Sequence, residues 1–215
     1  HLPVKVVMLP DELFAGVAGT QTSQGVMALV KPPEWKLEQL FAPAASSLQT
    51  LVIVLDGLQD PGNAGTIVRA AEAFGATGVF FLKGTVSPYN PKTLRASAGS
   101  LFRVPFLHGV DAALAREALE RNKVELFAGV PARSKEGSQE GSQEGSMKPV
   151  RPLTLVDLTG PCGLIVGNEA HGVSGELRSA AVEVTIPTVG VESLNAAVAA
   201  GILLHEARRQ RVLRT

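Results

Sequence analysis

From residue 51 onward the chain alternates short unbroken apolar runs with segments whose apolar positions recur at helical spacing. "LVIVLDGL" (51–58) is a β-branched run that ends in the turn "QDPGN". "AGTIVRAAEAFG" follows, with Ala64, Ile67, Val68, Ala71 and Phe74 on one helical face and Gly75 placed to stop it. "GVFFLKG" (78–84) predicts a second buried strand, and "PKTLRASAGSLFR" (91–103) a helix opened by Pro91. "VPFLH" predicts a short strand, Asp111 a cap for a helix over "AALAREALERN", and "VELFAGVP" (124–131) another strand. "GLIVGNE" (163–169), "VEVTIP" (182–187) and a helix from about 193 to 212 complete the series. Strands that read as continuous apolar runs are covered on both faces. The pattern therefore predicts an α/β domain, a parallel sheet with helices on both faces.

Two stretches break the rhythm. "KEGSQEGSQEGSMKP" holds a tandem GSQE repeat with no apolar residue before Met147, so it cannot bury surface, and residues 134–149 read as a flexible exposed insertion. Residues 1–35 end in "QGVMALVKPPEW", an apolar strand stopped by Pro32 and Pro33, and are expected to be the tail end of a separate small domain. Residues 36–49 then form a linker with a short helix, and 50–215 form the main domain. The chain opens with His1 and enters "LPVKVVML" at once, which reads as a piece cut from something longer.

Composition narrows the classes. Hydrophobic residues make up 45% and charged residues 19%, enough for a sizeable core and too apolar for general disorder. Lys+Arg and Asp+Glu number 20 each, so a polyanionic partner would have to be met by a local patch. A single cysteine, Cys162, excludes an internal disulfide framework and fits a reducing cytosol as a small buried residue. With no apolar run of membrane-spanning length and no signal-peptide pattern, the expectation is a cytoplasmic protein without a membrane partner.

The common α/β signatures are missing: no G-x-G-x-x-G after the first strand, no G-x-x-x-x-G-K-[ST], no G-x-S-x-G. His1, His108, His171 and His205 lie far apart in sequence, and the expectation for metal is none. Three polar stretches stand instead at the C-terminal ends of strands, the edge where doubly wound sheets bind ligands. In "DPGNAGTIVRAAEAFG", Asn63 can cap the helix, while Gly62 and Gly65 admit close backbone approach. Arg69 points away from the apolar stripe, either to pair with Glu72 at i+3 or to serve a ligand. In "LIVGNEAHG" a buried strand delivers Gly167, Asn168 and Glu169 to its end, with His171 a loop residue. In "IPTVGVESLNAAVAAGILLH", Ser193 can cap a final helix kept thin by Ala196, Ala197, Ala199, Ala200 and Gly201. A helix that thin suits a close backbone approach, within the chain or between subunits, although a buried Ala-rich helix is the plain alternative.

Together and in order, these stretches, with "KTLRASAGSLFRVP" and the continuation "HEARRQR", resemble the signature motifs of the SpoU family over residues 51–212. That family comprises S-adenosylmethionine-dependent RNA ribose 2′-O-methyltransferases of the SPOUT superfamily. The resemblance implies an α/β domain whose C-terminal part is tied in a deep trefoil knot, with S-adenosyl-L-methionine bound in the knot. It also implies a homodimer formed through the knot region, with active sites at the subunit interface. Carried over by motif, Val166, Gly167, Asn168, Ile186, Pro187, Ser193 and Leu194 are the cofactor-binding expectation. Within that set, Gly167, Ile186 and Leu194 would act through their backbone. Asn63, Arg69, Glu169, Ser193 and Asn195 are the catalytic set, with Arg69 assigned to the 2′-hydroxyl. A guanidinium with a pKa above about 12 seldom gives up its proton, which favours gripping a phosphate and stabilising a developing alkoxide over acting as base. Arg69, Arg95, Arg103, Arg208 and Arg209 are the RNA-facing candidates, with Arg211 and Arg214 beside them. "SQGVMALVKP" resembles the last strand of the ribosomal-protein-like, RNA-binding accessory domain of one branch, which implies 23S ribosomal RNA as substrate. The rivals are a transfer-RNA ribose methyltransferase and a non-catalytic RNA-binding protein of the same fold.

Overall fold

The computed structural model describes residues 4–19, 23–42, 49–131, 149–191 and 193–213. The GSQE repeat and Arg214 lie outside them. The chain divides into two units, His1–Pro33 and Glu34–Thr215.

Among its described residues the first unit carries one helix, α1 (Asp11–Ala18), with no buried residue. The strand expected over "GVMALV" is absent: residues 26–31 carry no regular structure, with Val26 81% and Leu29 101% exposed. A strand is stabilised by a neighbour that takes its backbone N–H and C=O groups, and no described strand pairs with this run.

In the second unit the order is β1 (Leu51–Asp56), α2 (Pro61–Ala73), β2 (Gly78–Leu82), α3 (Pro91–Ala96), β3 (Phe106–Val110), α4 (Ala112–Arg121) and β4 (Glu125–Val130). β5 (Arg151–Pro152), β6 (Cys162–Gly167), α5 (Gly175–Ala180), β7 (Val182–Thr185) and α6 (Ala196–Val212) complete it. The strands form one sheet in the order β3-β2-β1-β6-β4-β7-β5, and every pairing is parallel. β1 and β2 are buried throughout, as unbroken apolar runs require, while β3 at the edge exposes His108 and Gly109. Alternate strand residues feed two cores. Leu51, Ile53 and Leu55 meet Ile67 and Val68 of α2 and Leu203 and Leu204 of α6. Val52 and Val54 share the opposite core with Leu119 of α4 and Leu177 of α5.

The short helix expected within 36–49 is present as a 3-10 helix, Leu37–Leu40, which seats Leu40 fully buried in the second core. That burial stabilises by about 1.5–3 kcal/mol, and Thr77 Oγ1 fastens it by donating to Leu40 O at 2.6 Å. Three local expectations are corrected. The helix expected over 91–103 stops at Ala96, and after Ala98 and Gly99 turn at positive φ a separate 3-10 turn spans Ser100–Phe102. The cap of α2 is Asp60, whose carboxylate accepts from Asn63 N at 2.6 Å; with Pro61 fixing the first helical residue, Asn63 falls inside the helix. The cap of α6 is Asn195, not Ser193: its Oδ1 accepts from Ala197 N and Val198 N at 2.9 and 3.2 Å.

Arg211 is also reassigned. Near the end of α6 its guanidinium turns inward, donating to Leu158 O, Gln49 O, Thr50 O and Gly160 O and lying 3.2 Å from Cys162 Sγ. Burial holds its pKa below the usual arginine value and pushes the Cys162 thiol up to about 11. Arg211 thus ties α6 to the segment that enters β6, and its donors are spent there.

Candidate active site

β1, β6, β4 and β7 end side by side, and the loops that leave them build one polar region. β6 ends at Gly167, where the chain reverses tightly: Asn168 N donates to Gly172 O at 3.0 Å and Gly172 N to Asn168 O at 2.8 Å. The return passes so close that a Cβ on Gly167 would lie 2.3 Å from Gly172 C and 2.4 Å from Val173 N. Only glycine fits there. Asn168 consolidates the loop. Its Nδ2 donates to Gly57 O at 2.8 Å, and its Oδ1 accepts from Ala170 N and His171 N at 2.8 and 3.0 Å. Asp56 at the end of β1 holds the loop's exit by accepting from Ser174 N at 2.7 Å. The side chain of Asn168 is therefore occupied in shaping backbone.

This loop, with Ile186, Thr188 and the residues 193–196, lines a cavity of about 570 Å³, within the ~300–1,000 Å³ usual for small-molecule sites. Of the seven residues expected to hold a cofactor, Val166, Gly167, Asn168, Ile186, Ser193 and Leu194 line it; Pro187 does not. Ile165, Val184 and Leu203 give it apolar walls. Gly129, Val130 and Pro131 also line it and were missed in the sequence. They stand at the C-terminal end of β4, so the sheet-edge rule that singled out the other stretches could have found them. Arg178 on the wall is held by Glu183 through Nε at 2.6 Å and Nη2 at 3.1 Å, which raises its pKa further.

At the mouth the three motif stretches meet. Asn195 Nδ2 donates to Asn63 Oδ1 at 3.0 Å, and Asn63 Nδ2 donates to Glu169 Oε1 at 3.3 Å, across separations of 132 and 106 residues. Freed from capping, Asn63 is the centre of this chain. All three line an open depression with Gln59, Asp60 and Pro61, and Glu169 and Asn195 also line the cavity. Ser193, exposed, reaches the cavity wall but not the polar chain.

The arginines separate. Arg69 is exposed, lines neither recess, and makes no hydrogen bond or ion pair among the described residues. It lies six residues beyond Asn63, about 9 Å along α2. Its expected alternative partner, Glu72, is instead bound by Arg103 and Ser100. Arg209 is paired with Glu206, Nη2 to Oε1 at 2.6 Å. Arg95 is exposed and Arg208 half-buried, neither with an ion-pair partner among the described residues.

The sequence pattern of the SpoU rRNA Methylase family matches residues 50–205. The 23S rRNA (guanosine-2'-O-)-methyltransferase RlmB of Xanthomonas axonopodis pv. citri is 36% identical over 215 residues, 97% of this chain and 79% of its own. The 23S rRNA (guanosine(2553)-2'-O)-methyltransferase RlmP of Bacillus subtilis is 32% identical over 207 residues, 95% of this chain and 73% of its own. Among solved structures, the SpoU methyltransferase AviRb from Streptomyces viridochromogenes, in complex with the cofactor AdoMet, superposes with a TM-score of 0.67 at 28% identity. That match covers 84% of this chain and 66% of AviRb, so the chain spans about two thirds of that protein's length.

Proposed function

The chain belongs to the SpoU rRNA methylase family, and from that membership and the geometry above we propose that it transfers a methyl group from S-adenosylmethionine to a ribose 2′-hydroxyl in RNA, most naturally large-subunit ribosomal RNA. The observation that carries the proposal is the hydrogen-bonded chain Asn195–Asn63–Glu169, which joins all three motif stretches at the mouth of a cavity lined by six of the expected donor residues.

The residues present fit the donor. The glycine-tight turn at Gly167 brings backbone to the cavity surface, apolar walls suit an adenine ring, and the mouth is polar. Gly167, Ile186 and Leu194 would hold it through backbone groups, with Val166 and Ser193 beside them. When bound, S-adenosylmethionine supplies a methyl group already activated by the sulfonium charge. The chain's own contribution is then largely positioning. Asn195 spends its Oδ1 on the α6 cap and its Nδ2 on Asn63, so it fixes Asn63 relative to the helix. Asn63 in turn fixes Glu169, whose second carboxylate oxygen is without a described protein partner and can accept a hydrogen bond from the ribose hydroxyl.

Arg69 is proposed to grip the adjacent phosphate and stabilise the developing alkoxide. Because it lines neither recess of its own chain, we assign it to the site of a second protomer, in a homodimer formed through the knot region. The outer face of α6, with Val198 52% and Ile202 36% exposed, supports such a contact. The threading of the C-terminal segment into a knot belongs to the same proposal, as does action in the compartment that holds ribosomes. Among the described residues no helix is long and apolar enough to cross a membrane.

The test is methyl transfer from labelled S-adenosylmethionine to unmodified large-subunit ribosomal RNA, with ribose methylation mapped by mass spectrometry. A single protein-dependent 2′-O-methyl mark is expected. No heat of donor binding in calorimetry would overturn the enzyme reading, and a mark confined to transfer RNA would change the substrate class.

A further inference from the structure

Glu72 stands three residues beyond Arg69 on α2, a spacing at which a carboxylate and a guanidinium usually meet on a helix surface. They do not meet. Arg103 donates through Nε to Glu72 Oε1 and through Nη2 to Oε2 at 2.8 Å, and the buried Ser100 Oγ donates to Oε2 at 2.6 Å. Arg69 is left exposed and without a hydrogen-bond or ion-pair partner among the described residues.

The backbone is arranged for this capture. α2 and α3 approach so closely that a Cβ on Gly65 would lie 2.4 Å from Thr93 O. The chain leaving α3 turns through Ala98 and Gly99 at φ 47° and 86°, which brings Ser100 and Arg103 back over α2. A Cβ on Gly99 would lie 3.1 Å from Arg103 Nη1, so glycine also leaves the guanidinium its room. Hydrogen bonds from Arg103 and Ser100 hold Glu72 down to about 2, so it is fully charged at neutral pH. Released, it would compete for Arg69 and repel an approaching phosphate.

We propose that Arg103 and Ser100 are positioning residues: by sequestering Glu72 they keep the Arg69 guanidinium unpaired and available to the RNA ribose–phosphate. This rests on the reading of Arg69 given above. It also reassigns Arg103, an RNA-contact candidate in the sequence, to act through its neighbour.

The test is steady-state methylation of in-vitro-transcribed large-subunit ribosomal RNA by Arg103→Gln, Glu72→Gln, the double variant and Arg69→Ala. Arg103→Gln is expected to lower kcat/KM for RNA about twofold to fivefold, the scale of one exposed ion pair gained by Arg69. The double variant is expected to return to the Glu72→Gln level, with donor affinity unchanged throughout. Arg103→Lys, which keeps a cation beside Glu72, should retain most activity, and thermal melting checks that each variant is folded. A purely structural role, or direct contact between Arg103 and RNA, leaves the double variant no better than Arg103→Gln, and that result overturns the proposal. Full activity in Arg103→Gln overturns it too. Full activity in Arg69→Ala instead removes the reading on which it rests.

Discussion

Gly167→Ala puts the proposed donor cavity under a graded test. The new Cβ would sit 2.3 Å from Gly172 C and 2.4 Å from both Gly172 O and Val173 N, against an ordinary contact of 3.4–4 Å. The obstacles are backbone atoms, so no side chain can swing aside. The return strand of the loop must retreat by about 1 Å, the scale at which overpacking costs ~1–3 kcal/mol. In a unit of this size that is a fall in Tm of about 2–12 °C. The same retreat pulls on the paired bonds between Asn168 and Gly172 and on the Asn168 bond to Gly57 O, which together hold the wall of the cavity. A displacement of this size at a positioned reactant costs about 100-fold in rate. Calorimetry with S-adenosylhomocysteine is expected to show affinity lowered at least tenfold, in protein still folded by circular dichroism. Affinity within twofold of the parent chain, with the melting point lowered as expected, would refute the placement of the donor against this loop.

The remaining predictions use other joints of the same frame. Asn195→Asp keeps an acceptor for the α6 cap but cannot donate to Asn63, so methyl transfer should fall at least tenfold with little change in Tm; Asn195→Ala should lose activity and also about 1 kcal/mol of stability. Arg211→Met takes the guanidinium away from Leu158 O, Gln49 O and Gly160 O, while Thr50 O keeps its bond from Cys162 N, and should cost about 2–4 kcal/mol in chemical denaturation, while RNA affinity in the folded protein stays the same. Glu72 and Glu206 are each held at about 2, below their ordinary 4.5, chiefly by hydrogen bonds from Arg103 and Arg209. Depressed carboxylates stabilise the fold above the unfolded value, so stability should be full above pH 4.5 and fall between about pH 4.5 and 2. The Glu72→Gln, Glu206→Gln double variant should flatten that fall in urea titrations, and an unchanged slope would count against both pairs.

Much of this architecture is written in local pattern. Unbroken apolar runs at β1, β2 and β6 could only be strands covered on both faces, and the helix face at Ala64, Ile67, Val68 and Ala71 is the face buried. Six of the seven residues that the family resemblance nominated for the donor line one cavity, since their motifs fall at strand ends, where a parallel sheet gathers its loops. What stayed hidden depends on partners distant in the chain. Val26–Val30 has the composition of a strand and no described strand beside it. Leu40 reads as linker until its pocket beside the sheet exists. Asn63 reads as a cap, yet Pro61 shifts that duty to Asp60 and leaves the asparagine to join residues 106 and 132 positions away. The arginines look alike in the sequence. Only the folded chain divides them into a buried tie at Arg211, ion pairs at Arg103 and Arg209, and an unpaired guanidinium at Arg69. Periodicity records which face of an element turns from water, because that preference belongs to each residue. Which polar groups satisfy one another is settled by distance, and distance across the chain exists only once the sheet has closed.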